Sequence, residues 1–111
     1  MENDKKLSAK TIEMIAARFK ILSDPMRLQI LHELHEGERN VMQIVGAADT
    51  SQPNVSKHLR ILQDAGLVLR RQEGNSAYFR IADESIFEMC EAVCNSLKIQ
   101  AENKMASLAG I

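Results

Sequence analysis

The sequence predicts a single, mainly helical domain with a small β-hairpin, and three observations lead there. Apolar residues recur at helical spacing in five separate segments. The period then switches once to strand-like segments, between Leu67 and Ile81, around a Gly-Asn pair. The 111 residues, 45% hydrophobic and 26% charged, suit one core of ordinary composition.

Ile12, Ile15, Ala16, Phe19 and Ile21 or Leu22 mark a first helix over 8–22, with Ser8 as its N-cap. Ser23-Asp24-Pro25 breaks it. Pro25 suits the first turn of a second helix, where its missing N–H is not needed. Met26, Leu28, Ile30, Leu31 and Leu34 build that helix, and Gly37 ends it. A third, short helix covers Val41 to Ala48. "ADTS" is a turn, with Thr50 or Ser51 capping a fourth helix that runs to Ala65 and stops at Gly66. Leu67–Arg71 and Ala77–Ile81 read as strands flanking Glu73–Ser76, where Gly-Asn can take positive φ. Asp83-Glu84-Ser85 caps a last helix over 84–104, which carries Ile86, Phe87, Cys90, Val93, Cys94, Leu97 and Ala101 on one side. Residues 105–111 are expected to fray.

The third and fourth helices, about 41–65, are joined by three or four residues, the connection of a helix-turn-helix. A hairpin straight after it, about 67–82, is a wing. The expected architecture is therefore a winged helix-turn-helix of five helices and a two-stranded antiparallel wing.

Aromatic residues are only 4% and Trp is absent, so Leu, Ile, Val, Ala and Met must fill the core. Such a lean core is expected to draw on a partner surface. No apolar run approaches the roughly 20 residues that span a bilayer. The polar N-terminus MENDKK has no apolar stretch of a signal peptide, so a cytoplasmic location is expected. In a reducing compartment the two cysteines are expected to be thiols.

The net charge is −1, but it is unevenly spread. Residues 1–50 hold seven Lys/Arg against eight Asp/Glu, residues 51–82 five against two, and residues 83–111 two against five. The basic excess coincides with the fourth helix and the wing, which points to a polyanionic partner.

"SQPNVSKHLRIL", Ser51 to Leu62, carries the chemistry. Val55, Leu59 and Leu62 are spaced i, i+4, i+7 and form a buried stripe. Ser51, Gln52, Asn54, Ser56, Lys57 and Arg60 fall on the other side, with His58 near the edge. The second helix of a helix-turn-helix places its N-terminal residues against base edges in the major groove. Gln and Asn can pair with adenine, Lys or Arg with guanine, and Ser with either. The helix N-terminus and the hydroxyls of Ser51 and Ser56 suit phosphate oxygens. Arg70 and Arg71 on the wing, with Arg80, add positive charge beside them. A solvated helix face would be rich in Glu and Asp, and 51–63 contains neither. No phosphate-binding Gly-rich loop, no H-E-x-x-H and no nucleophile–base motif marks an enzyme. The alternative is a winged-helix module that dimerises or binds protein without reading DNA. The arginines and the acid-free fourth helix argue against it.

"LSDPMRLQILHELHEGE", followed by "SQPNVSKHLRILQDAGLVLRRQEGNSAYFRI", resembles the ArsR/SmtB family of bacterial and archaeal winged-helix repressors over roughly residues 10–97. The resemblance implies a homodimer that binds double-stranded operator DNA and releases it when an inducer binds. It further implies dimerisation through the first and last helices, in keeping with their apolar stripes. The arsenic or cadmium motif of the family, Cys-x-Cys-Asp, matches Asn40, Val41, Met42 and Gln43 here, so that site is absent. The zinc site on the last helix needs histidines, and none follows His58; Asp83, Glu88 and Glu91 alone would make a weak site. Sulfide-responsive members pair a second-helix Cys with one in the last helix, and the second-helix position here is about His32.

"CEAVC" leaves Cys90 and Cys94 at i and i+4 as candidate sensor thiols. Their Cβ atoms should lie roughly 6 Å apart, too far for an unstrained disulfide within one helix. A bond between subunits, or a thiophilic metal or metalloid bridging both thiolates, fits better. Both also lie on the apolar stripe, where Cys packs as a small, inert hydrophobe. No low-pKa setting is visible, because Glu91 beside Cys90 would raise a thiol pKa. Inert packing, a metal or metalloid site and a redox switch remain open. The histidines of the second helix, His32 and His35, read as polar-face or partly buried residues.

Overall fold

A computed structural model describes residues 6–110; Met1–Lys5 of the polar N-terminal stretch, and Ile111, lie outside the described residues. The chain order is α1 (Ala9–Leu22), α2 (Pro25–His35), β1 (Arg39–Asn40), α3 (Val41–Ala48), α4 (Gln52–Asp64), β2 (Val68–Glu73), β3 (Ser76–Ile81) and α5 (Ser85–Ala109).

The Ser8 cap forms as predicted, and those at Asp24 and Asn40 are additional. At Asp83-Glu84-Ser85 the N-cap residue Glu84 makes no side-chain bond, and Asp83 accepts from the Ser85 N–H at 3.0 Å. Ser8 accepts from the Thr11 N–H. Asp24 accepts from the N–H groups of Met26 and Arg27, with Pro25 in the first turn. Asn40 and Gln43 make a reciprocal capping box at the start of α3. Of the two candidates at the start of α4, Ser51 is the cap. Between α3 and α4 stand three residues, and Asp49 at φ 55 turns the chain.

α4 ends in a Schellman motif. The Leu67 N–H donates to the Leu62 carbonyl at 2.9 Å and the Gly66 N–H to that of Gln63 at 3.0 Å. Gly66 takes φ +78, a conformation that costs glycine nothing. This turn fixes how the wing leaves α4.

The wing departs from expectation in three ways. It has three strands, in the order β1-β3-β2, not two. Arg39 pairs with Phe79 and Asn40 with Tyr78, so the chain before α3 covers the outer edge of β3. The hairpin strands are longer than predicted and close on a two-residue turn. Gly74 alone takes positive φ there, at +60, the pattern of a type II′ turn with Gly in first place.

α2, α3 and α4 pack around Ile30, Leu31, Leu34, Ile44, Val55, Leu59 and Leu62, and the wing adds Leu67, Val68 and Phe79. From α1 only Leu22 is buried, and from α5 only Ile86. Ile21, Phe87 and Met89 are half-buried against that core, while Ile12, Met14, Phe19, Val93, Leu97 and Met105 of the same two helices stand exposed. The expected frayed tail is instead helix through Ala109. Met, Ala and Leu are strong helix formers, and nothing in 105–109 breaks the run. No helix among the described residues is long and apolar enough to cross a membrane.

Candidate nucleic-acid interface

α4 is held from one side and presented on the other. Val55, Leu59 and Leu62 lie in the core, while Gln52, Ser56, Lys57 and Arg60 are exposed. The Ser51 hydroxyl accepts from the Asn54 N–H at 3.2 Å, the Val55 N–H donates to the Ser51 carbonyl at 3.1 Å and Pro53 has no N–H, so the Gln52 N–H is the one of this first turn left to bond outward. Positive potential therefore gathers at the helix start, beside Lys57 and Arg60. Arg60 makes only a loose 3.9 Å contact with Asp64, both side chains being highly exposed, so its guanidinium is free to turn to another anion.

The wing continues this surface. Ser56, Arg60 and Arg70 line one open groove of about 590 Å³ between α4 and the sheet. Gln52 lines a smaller recess with Met42 of α3 and Asn75 and Ser76 at the hairpin turn. Arg70 is paired with Gln72 at 2.6 Å, a neutral partner that leaves its charge uncompensated.

Three sequence-predicted contact residues sit differently from expectation. His58 is not at the edge of the exposed face: it is buried, with Nδ1 3.2 Å from Nη1 of Arg27. Its i+3 spacing from Val55 puts it on the apolar stripe. Asn54 is half-buried, and its amide donates to the Thr50 hydroxyl at 3.1 Å, back toward the turn. Arg71 is engaged by carboxylates. Its fork reaches Glu38 through Nε at 3.1 Å and Nη2 at 2.7 Å, and Nη1 donates to Glu73. The guanidinium also lies 4.8 Å over the Tyr78 ring, its cross-strand partner. The hydrogen bond from Arg71 holds Glu38 below the usual carboxylate range, and Glu38 and then Glu73 keep Arg71 firmly protonated.

The candidate thiols lie elsewhere. Cys90 is half-buried, Cys94 is exposed, and both are free. They line an open groove of about 530 Å³ between α2 and α5 with His32, His35, Glu88 and Glu91. His35 stacks on Phe87 with ring centroids 3.7 Å apart, and His32 meets the same ring edge-on at 5.2 Å. The His32 Nδ1–H donates to the Leu28 carbonyl at 2.8 Å, which leaves Nε2 as the free nitrogen. Sequence spacing alone sets these histidines apart from the cysteines; packing of α2 on α5 joins them. Among the described residues no three His, Cys, Asp or Glu side chains are placed to hold a metal ion.

A capped, acid-free helix start beside a β-wing defines the class: a winged helix-turn-helix DNA-binding protein. Residues 24–69 match the family model described as "Bacterial regulatory protein, arsR family". The chain is 39% identical over 82 residues to an HTH-type transcriptional regulator of Methanocaldococcus jannaschii, covering 73% of this chain and 92% of that one. It is 43% identical over 65 residues to the arsenical resistance operon repressor of Escherichia coli, covering 58% of this chain and only 56% of that one. Among solved structures it is similar to a homodimeric winged helix-turn-helix DNA-binding domain from Mycobacterium bovis, with a TM-score of 0.70, 34% identity and coverage of 82% and 90% of the two chains. The chain belongs to the ArsR family of DNA-binding transcriptional regulators.

Proposed function

We propose that this chain works as a homodimeric repressor that holds palindromic operator DNA in the cytoplasm and lets it go when an inducer binds. The observation that carries this reading is the exposed, acid-free start of α4 with Gln52, Ser56, Lys57 and Arg60, continued by Arg70 across one groove. Gln52 and Ser56 are suited to base edges, and Lys57, Arg60 and Arg70 to phosphates. Asn54 and Arg71 contribute only after exchanging their present partners. His58 contributes through the core.

Dimerisation is supported by the exposed apolar faces of α1 and α5, which the core of one chain does not cover. The homodimeric relative from M. bovis agrees with it. The inducer site is assigned to the groove of Cys90 and Cys94, with a thiophilic metal or metalloid as its ligand class. The E. coli relative represses an arsenical resistance operon, which supports that class. One chain lacks three converging donors among its described residues, so donors from the second subunit, or two-coordinate thiolate binding, complete the site.

The test is a salt titration against two duplexes: one selected by the protein from a random pool, and one of unrelated sequence. The affinity for both should fall steeply with salt, as phosphate contacts require. The selected duplex should bind about a thousandfold tighter, the low end of the usual specificity ratio. Equal, salt-insensitive binding to both would refute the reading.

A further inference from the structure

His58 is the one polar side chain buried among the described residues, 5% exposed, and it sits on the helix assigned to reading DNA. Its Nδ1 lies 3.2 Å from Nη1 of Arg27. A guanidinium has donors only, so Nδ1 accepts and the ring carries its proton on Nε2. The contact thus requires one tautomer and one charge state. An imidazolium would set N–H against N–H.

Arg27 is itself fixed. Its side chain is 14% exposed, and Nη1 lies 4.0 Å from an Asp24 carboxylate oxygen. Its Nε donates to the Ile21 carbonyl at 2.7 Å, in the last turn of α1. Asp24 in turn caps α2 through the Met26 and Arg27 N–H groups, at 2.8 and 3.2 Å. One planar group therefore joins the end of α1, the start of α2 and the middle of α4. Val55, Leu59 and Leu62, which share the His58 face of α4, are apolar, and apolar packing is not directional. A further directional contact, Arg18 Nη2 of α1 to the Ala65 carbonyl at 3.3 Å, holds only the C-terminal end of the helix. The bond to His58 is the directional anchor on that face, and so resists rotation or sliding of α4 where packing alone would tolerate it.

The geometry points to Arg27 as a positioning residue for DNA reading: through neutral His58 it sets the rotation and depth of α4, and protonation of the ring releases that setting. This rests on α4 being the reading helix. The groups facing the ring are Asp24 and Arg27 from the start of α2 and Lys57 from α4 itself. Burial is the largest influence and pushes the imidazole below its ordinary value; Asp24 opposes this, and Arg27 and Lys57 add to it. The sign follows. Above the unfolded value of about 6.5 the ring is neutral in both states and the hydrogen bond is intact; as pH falls below it, the unfolded chain takes the proton first, and the folded pair separates on reaching the lower folded value.

His58→Asn keeps an acceptor near the Nδ1 position and cannot titrate. His58→Leu keeps bulk and removes the acceptor. Both are compared with wild type by fluorescence anisotropy on the selected and unrelated duplexes, at about pH 7.5 and in steps below the ordinary imidazole value of about 6.5. The acid point is the pH at which the ring shifts show folded His58 protonated; a ring that stays neutral until the protein unfolds would overturn the release by protonation. Urea denaturation at each pH confirms that every sample is folded, and ¹⁵N shifts of the His58 ring are read in the free protein. The ring should be neutral and protonated on Nε2 at the higher pH. The selected-to-unrelated ratio should drop about tenfold in His58→Leu, within the usual range of coupling between sites. Wild type should lose affinity in acid, and His58→Asn should not. A ring protonated on Nδ1 at the higher pH would overturn the Arg27 hydrogen bond without reference to DNA. An unchanged ratio in folded His58→Leu, or the same acid loss in His58→Asn, would overturn the positioning role. If wild type itself fails to separate the two duplexes, the assignment of α4 falls, and the ring spectrum still decides the pairing with Arg27.

Discussion

Ser51 allows stability and DNA binding to be pulled apart with one side chain. Its backbone, at φ −81 and ψ 156, is that of an N-cap, and its hydroxyl accepts from the Asn54 N–H. Ser51→Ala leaves that N–H without its partner and should cost about 1 kcal/mol, within the usual range of roughly 0.5–2 kcal/mol. For a domain of this size that lowers Tm by about 4–8 °C. Ser51→Asp keeps an acceptor and places a negative charge at the positive end of α4, a combination that should leave stability at or slightly above wild type. The same carboxylate would face phosphate. Each dimer then carries two new negative charges on its binding face, and the salt slope should become shallower by about one for each phosphate that is no longer neutralised. Stability is read by urea denaturation at one fixed protein concentration, since unfolding of a dimer depends on concentration. Binding is read by anisotropy over a salt series. The prediction is a stable Ser51→Asp protein that binds DNA poorly, and a less stable Ser51→Ala protein that still binds once folded. Ser51→Asp as unstable as Ser51→Ala would refute the cap. Ser51→Asp that binds like wild type would refute the orientation of α4 toward DNA.

Other expectations follow from the same structure. Arg71→Ala should weaken binding to all sequences more than Arg70→Ala, because it leaves Glu38 and Glu73 unpaired beside the polyanion; adding Glu38→Gln should recover part of the loss, and equal effects of the two single variants would contradict the paired arrangement. Leu59→Ala, at a core position only 1% exposed, should cost about 2–5 kcal/mol in urea denaturation, and a loss under about 1 kcal/mol would place that side chain outside the core. Paired Cys90→Ala and Cys94→Ala should keep DNA binding but abolish release by thiophilic metals and metalloids; release that persists would move the inducer site out of the α2–α5 groove.

Five helices, the caps at Ser8 and Ser51 and the hairpin of the wing are legible in the sequence because each is written locally. Periodicity, Pro25, Gly66 and Gly74 act on their own neighbours. β1 is not legible, because Arg39 and Asn40 become a strand only by pairing with Phe79 and Tyr78, which lie far along the chain. The helical tail is legible in composition, and reads as frayed only because its apolar residues have nothing in one chain to pack against. The burial of His58 is also written in the spacing, since Val55, His58, Leu59 and Leu62 fall at i, i+3, i+4, i+7; position outweighs polar chemistry there. The pairing of Arg71 is not legible, because Glu38 reaches it only through the fold. The same holds for the groove that brings His32 and His35 to Cys90 and Cys94.

The claim at the centre is that the exposed start of α4 reads bases while the wing positions the protein. A base-pair substitution scan of the selected duplex, run with wild type, Gln52→Ala and Arg70→Ala, addresses it directly. Gln52→Ala should flatten the preference at one position per half-site, by about 1–3 kcal/mol, and leave the others unchanged. Arg70→Ala should lower affinity for every duplex alike and leave the pattern of preference intact. A pattern that survives Gln52→Ala and is rewritten by Arg70→Ala would mean that the wing reads the DNA and α4 does not.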